Sequence, residues 1–225
     1  MVHDFHSHTF HSDGVLSPVE LIRRAVTRGY KTIALTDHVG IGNCEDVVRQ
    51  VARDCEHCNR YWDILAVPGV EITHVPARAI AEVAREARAA GARIVGVHGE
   101  TLVEPVEPGT NLAAVKCRDV DFLAHPGILS EEEARLAAQN GVFIEVSARK
   151  GHCLGNGRTV VLARQYGFRL LLNSDAHEPG DLLTAEFQRQ VAIGAGLREE
   201  ELAAVLEENP LQLIGRLRLG AGQLA

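Results

Sequence analysis

His6 and His8 stand two residues apart in Asp4-Phe5-His6-Ser7-His8-Thr9. On an extended strand, alternate side chains share a face, so the two imidazoles line up with Asp4 while Phe5 points the other way. Two such rings chelate a divalent metal if other segments bring further ligands to the same place. Candidates recur down the chain: Asp13, His38, Glu71, His98, His125, Asp175 and His177. Of the 11 histidines, six belong to this set, and nearly all of its members fall at or just beyond the end of a short apolar run. A lone histidine at a strand end is ordinarily a packed core residue. Six with several carboxylates would leave too much unpaired polarity in one cavity, and a metal cluster is the arrangement that satisfies them together.

The elements that must position these residues follow from periodicity. Apolar runs of strand length occupy residues 2–6, 31–36, 63–70, 92–97, 120–124, 142–146 and 168–173. Helical stretches separate them. Ser17, Pro18 and Glu20 predict a helix start with an N-cap, proline at the first position and an acid three residues on, and that helix stops at Gly29. Further helices are expected over 44–57, over 77–90 closed by Gly91, just after Thr110, from a Ser130/Glu133 capping box to Gly141, and over 158–166 closed by Gly167. Residues 199–208 and 210–217 read as helix covering the outside or bottom. Seven strand-then-helix units imply parallel pairing with right-handed crossovers, an α/β barrel whose strand C-termini converge on one rim. At 225 residues the chain fits a single domain, 1–225.

Composition narrows the partners. The chain is 46% hydrophobic but only 4% aromatic, so Ala, Val, Leu and Ile must build the core. A net charge of -7 with no basic block argues against a nucleic-acid surface as the main business. No long uncharged apolar stretch appears, so no membrane partner is expected and a cytoplasmic location is. Five cysteines form no even framework, which fits reduced thiols, and Cys55-Glu56-His57-Cys58 lacks the second pair of a zinc site. Oligomeric state is left open.

Taken in order, Asp4-Phe5-His6-Ser7-His8-Thr9 with Ser12-Asp13-Gly14, Thr36-Asp37-His38, Gly69-Val70-Glu71, His98, Ala124-His125-Pro126 and Ser174-Asp175-Ala176-His177 resemble the successive motifs of the PHP (polymerase and histidinol phosphatase) superfamily, in its stand-alone histidinol-phosphatase-like branch. The resemblance implies a distorted TIM-like (β/α)7 barrel with two or three divalent metals at the C-terminal ends of the strands. It places one metal on His6, His8, Glu71 and Asp175, with Glu71 bridging to a second on His98 and His125. A third would take Asp13, His38 and His177. Some members carry a histidine near the Asp13 position, so the Ser-Asp-Gly form leaves occupancy of that third site open.

Mixed imidazole and carboxylate ligands suit Zn, Mn or Fe rather than Ca or Mg. Bridged metals lower the pKa of a shared water and clamp a phosphate ester, so hydrolysis follows, with Asp175 and His177 as candidate catalytic residues. Arg149, Lys150, His152 and Arg158, interleaved with glycines, are candidates for binding the substrate phosphate, and Glu100 and Thr101 for orienting a ligand. Asp4 and Asp37 are expected to fix imidazole tautomers. The expected activity is metal-dependent hydrolysis of a small phosphomonoester, histidinol-phosphate-like or nucleotide-like. The alternatives are an amidohydrolase-like attack on a C–N bond and a non-catalytic metal-binding accessory module.

Overall fold

The computed structural model describes residues 1–217. Seven parallel strands form one sheet in the order β1 (Val2–Asp4), β2 (Tyr30–Leu35), β4 (Leu65–Ile72), β5 (Ile94–His98), β6 (Phe122–Ala124), β7 (Phe143–Ser147) and β8 (Leu170–Asn173). A two-residue strand, β3 (His38–Val39), pairs with the end of β4 that carries Glu71 and Ile72. The sheet curls until β1 meets β8. His8 N–H donates to the Ala176 carbonyl (2.8 Å) and Asp175 N–H to the His6 carbonyl (3.0 Å). Side chains complete the seam: Phe5 N–H donates to Asn173 Oδ1 (3.0 Å) and Ser174 N–H to Asp4 Oδ1 (3.1 Å). The result is the α/β barrel expected from the strand spacing, in the distorted TIM-like form that the family resemblance implied.

Helices α1 (Pro18–Thr27), α2 (Cys44–Tyr61), α3 (Ile80–Ala90), α4 (Thr110–Lys116), α5 (Glu131–Asn140), α6 (Asn156–Tyr166) and α7 (Ala185–Gly194) alternate with the strands along the chain. Their apolar faces and the outer strand faces make the larger core, which includes Ile22, Val48, Val83, Val95 and Leu123. The smaller core fills the barrel with Phe5, Ala34, Val67, Ile94, Phe122, Phe143 and Leu171. Helix α8 (Asn209–Arg216) adds Leu213 and Ile214 to that interior cluster, so it caps the barrel instead of lying on its flank. Gly96 makes room for Phe122: a Cβ at Gly96 would lie 2.4 Å from the ring. The Phe122 ring packs edge-on to His6, 5.7 Å between centroids, and floors the site above. Truncating it to Ala should cost about 3–5 kcal/mol.

Local differences from the expected elements have simple causes. Regular pairing of β1 stops at Asp4 rather than His6; beyond it Ser7 is shared, its carbonyl accepting from Thr36 N–H just past β2 (2.8 Å) while it bridges Ala176 just past β8. Ser17 Oγ accepts from Glu20 N–H, but the Glu20 carboxylate pairs with Arg24 (2.8 Å) and does not return to the cap. The Ser130/Glu133 box is complete on both sides. Helix α2 runs on to Tyr61, which puts Cys55 and Cys58 on its buried face. Burial pushes the Cys58 thiol up to about 11 and Cys55 further, so neither is a poised nucleophile or ligand. Among the described residues, no helix is long and apolar enough to cross a membrane.

Candidate metal centre

Each strand end delivers its residue to one rim. Asp13, His38, His98, His125, Asp175 and His177 line a single cavity of about 210 Å³, together with Thr73, His74, Glu104, Arg149 and His152. His6, His8 and Glu71 lie beneath it, wholly buried. Backbone conformation marks the same place. Among the described residues, the non-glycine positions with left-handed φ are His74 (52°), His125 (21°) and Asp175 (54°). Such conformations cost of order 1–3 kcal/mol each and persist where surrounding structure imposes them.

Distances sort the contacts into two kinds. Ligands sharing one tetrahedral ion with bonds near 2.0–2.1 Å sit ~3.4 Å apart, whereas hydrogen-bonded groups approach to ~2.7–3.0 Å. The first kind includes His6 Nε2 to Glu71 Oε1 (3.3 Å), His125 Nε2 to Glu71 Oε1 (3.4 Å), His8 Nε2 to Asp175 Oδ1 (3.2 Å) and His6 Nε2 to Asp175 Oδ1 (3.6 Å). It also includes Asp13 Oδ1 to His177 Nε2 (3.1 Å) and to His38 Nε2 (3.5 Å). His6 Nε2, His8 Nε2, His98 Nδ1 and both Glu71 oxygens are buried without any hydrogen-bond partner. Orphaned donors and acceptors of this kind are costly unless something shared satisfies them. A cluster of divalent ions fits that set, and the nitrogen-rich mixture suits transition metals over Ca or Mg.

The second kind is the supporting framework. His6 Nδ1–H donates to Glu145 Oε2 (2.8 Å), which also accepts from Asn173 Nδ2 (2.9 Å). His177 Nδ1–H donates to the Asp175 carbonyl (3.0 Å), so a neutral ring presents its Nε2 lone pair to the side where Asp13 lies. His98 Nε2–H donates to Glu104 Oε2 (2.7 Å). The tautomer roles expected of Asp4 and Asp37 fall elsewhere. Asp4 ties β1 to Ser174 and Tyr30, and Asp37 accepts from Thr9 and from Ser12 Oγ (2.8 Å), bracing the loop that carries Asp13. Glu145, Glu104 and His74 escaped the sequence reading, although a glutamate inside the apolar strand run Phe-Ile-Glu-Val was a usable signal for the first.

Without ions, the charges hold one another. Burial would lower His6, but Glu145, Glu71 and Asp175 raise it well above the usual imidazole range. Burial opposes His38 too, yet Glu71 and Asp13 raise it to about 10. Burial dominates at His8 and His98, lowering them to about 4 and about 3. Against burial, His6, His98 and His38 hold Glu71 well below the carboxylate range, and His177 and His38 depress Asp13.

The substrate candidates divide. Arg149 reaches the cavity, donating Nη1–H to the Asp175 carbonyl (3.2 Å) with Nε 3.8 Å from Asp175 Oδ2. His152 is also there, bound to Asp175 Oδ2 (2.9 Å) and Glu104 Oε1 (3.1 Å). Lys150 is exposed and outside the lining. Glu100 accepts from Gly109 and Asn111 N–H, capping the start of α4, and Arg158 donates to the Leu129 carbonyl. None of these three lines the cavity.

The PHP domain matches residues 4–189, and the chain belongs to that family of phosphoesterase-like, metal-dependent proteins. An uncharacterised protein of Methanocaldococcus jannaschii is 43% identical over 215 residues, 95% of this chain and 99% of its own length. A 5'-3' exoribonuclease of Escherichia coli is 40% identical over 76 residues, 33% of this chain and 24% of the enzyme. Ribonuclease P protein component 3 of Methanosarcina acetivorans is 32% identical over 129 residues, 51% of this chain and 54% of that protein. In structure, a chain of archaeal ribonuclease P with mature tRNA matches at TM-score 0.62 and 16% identity, covering 94% of this chain and 87% of that one. A candidate histidinol phosphatase of Listeria monocytogenes matches at 0.60 and 11%, covering 82% and 98%. The ribonucleases among these relatives stand against setting nucleic acid aside on net charge alone.

Proposed function

We propose that the chain, acting as one domain, hydrolyses a phosphate ester with divalent ions held by His6, His8, Asp13, His38, Glu71, His98, His125, Asp175 and His177. The observation that carries this reading is the set of buried His6, His8 and His98 nitrogens and Glu71 oxygens without a hydrogen-bond partner, with His6 and His125 at ligand spacing from Glu71 Oε1 and His38 Nδ1 packed against Glu71 Oε2 at 2.8 Å. Bound there, Zn, Mn or Fe would supply Lewis acidity and a water acidic enough to attack near neutral pH. The residues do the rest. Asp175 divides its two oxygens between His6 and His8 on one side and His125 on the other, so it sits where a reacting group must lie. His177, its Nδ1–H fixed on a carbonyl, offers Nε2 at the cavity edge. The Arg149 guanidinium, half-buried beside Asp175, has donors left for phosphate oxygens.

The cavity of about 210 Å³ admits a phosphoryl group with little attached, which favours a terminal phosphate on a small molecule. The exoribonuclease and ribonuclease P relatives favour a second reading, in which that phosphate terminates an RNA strand. The test is phosphate or nucleotide release from small phosphomonoesters, mononucleotides and 5'-phosphorylated oligoribonucleotides by metal-loaded protein. Turnover of the small esters alone supports the first reading, and turnover of RNA ends the second. Cleavage of amides but no ester in the panel would replace phosphoester chemistry with C–N hydrolysis. No turnover of any substrate, with metals bound, would leave an accessory module.

A further inference from the structure

We infer that Glu104 is a positioning residue that orients His98 and His152, each with Nδ1 turned toward the two carboxylates at the heart of the centre. The inference rests on the metal-dependent reading above. Glu104 lies on the connection between β5 and α4, with 37% of its side chain exposed. Its Oε2 accepts from His98 Nε2–H at 2.7 Å and its Oε1 from His152 Nε2–H at 3.1 Å. The His98 contact is well short of the ~3.4 Å edge expected of ligands on a common ion, and the His152 contact is also made as a hydrogen bond.

With the outer nitrogen of His98 engaged as a donor, its inner nitrogen is left as a lone pair facing the centre. His98 Nδ1 faces Glu71 Oε1 at 3.7 Å and has no hydrogen-bond partner. His152 Nδ1 lies 2.9 Å from Asp175 Oδ2. One loop carboxylate thus reaches Glu71 through one imidazole and Asp175 through another. His74 completes the arrangement: its Nε2 is 3.4 Å from Glu104 Oε2 and its ring stands edge-on to His98, 5.2 Å between centroids. Among the described residues, the side-chain partners of Glu104 are these three imidazoles, so nothing else holds it over the cavity. A carboxylate on the far nitrogen of a ligating histidine fixes its tautomer and raises its basicity, and losing one weakens metal affinity about 10–100-fold.

Stepwise Co²⁺ titration of metal-stripped protein, read by visible absorption and competition with a chelating dye, tests this on wild type, Glu104→Ala, Glu104→Gln, His98→Ala and His177→Ala. The expected result is that Glu104→Ala weakens, by about 10–100-fold, the ion that His98→Ala removes. The ion sensitive to His177→Ala should keep its wild-type affinity, because Glu104 touches none of its ligands. Glu104→Gln, which keeps one acceptor oxygen, should fall between. An unchanged spectrum and unchanged affinities in Glu104→Ala would overturn the positioning role while leaving the metal centre standing. Wild-type protein that binds no Co²⁺ would instead overturn the metal reading itself. Melting curves separate either result from misfolding, since a side chain this exposed contributes little to the fold.

Discussion

Two carboxylates support the imidazoles of the proposed metal centre in the same way from different elements, one on a strand and one on a loop. At the floor, Glu145 takes His6 Nδ1–H at 2.8 Å, and at the mouth Glu104 takes His98 Nε2–H at 2.7 Å. The chemistry is identical and the setting is not. Glu145 has no exposed surface, stands in the middle of β7, and is braced from β8 by Asn173. Glu104, 37% exposed on a loop, is paired among the described residues with His74, His98 and His152. The floor support is therefore built into the sheet, whereas the support at the mouth comes from a loop residue.

Substitutions can break this comparison. The largest effect is expected at Glu71, which both halves share: Glu71→Gln should lower phosphoester turnover by about 10²–10⁴, the worth of several kcal/mol of metal-based stabilisation, measured as phosphate release with metal in excess. Next, Glu145→Leu should cost both stability and metal. His6 Nδ1 and Asn173 Nδ2 lose their buried acceptor, a penalty of about 1–3 kcal/mol that a melting curve would register. Glu104→Ala should cost metal affinity with a change in stability of about 0.5 kcal/mol or less, so that equal melting losses in the two variants would erase the distinction between floor and mouth. Smaller still, Asp37→Asn should loosen the loop holding Asp13, weakening the ion shared by His38 and His177 and no other, as read by the same cobalt titration.

The pH dependence of metal uptake has a definite sign. In metal-free protein His38 titrates at about 10 and His6 is also raised, so both rings are protonated at pH 7 and must lose a proton to ligate. Metal binding should release about two protons at pH 7, and affinity should rise with pH toward 10. Calorimetry in buffers of different ionisation enthalpy counts those protons; uptake instead of release would mean that other groups govern loading.

How much of this was legible in sequence depended on what each residue had to do. The strand-end histidines and Glu71 could be placed because a parallel sheet gathers such ends on one rim whatever the loops do. Asp4 and Asp37 do not brace the imidazoles beside them in sequence, because Asp4 faces Ser174 across the β1–β8 seam and Asp37 faces Thr9 and Ser12 on the loop after β1, contacts that adjacency does not record. Glu104 shares its loop with Glu100 and Glu107, and no spacing rule distinguishes the one that turns inward. Lys150 follows Arg149 directly, yet only Arg149 reaches the cavity, because neighbours on a turn diverge. For α8 the sequence allowed the outside or the bottom, and the structure selects the bottom; an amphipathic helix records that one face is buried, not against which surface.

On the proposed reading, the clustered imidazoles and carboxylates hold ions that make this chain a phosphoesterase. Adding Mn²⁺ or Zn²⁺ in measured equivalents to metal-stripped protein, while following phosphate release from a small phosphomonoester and from a 5'-phosphorylated oligoribonucleotide, tests it most directly. Activity that is absent without metal, rises with each equivalent bound and stops rising at two or three equivalents is the predicted result. Hydrolysis that proceeds unchanged after metal removal, or saturated metal sites with neither ester cleaved, would contradict it.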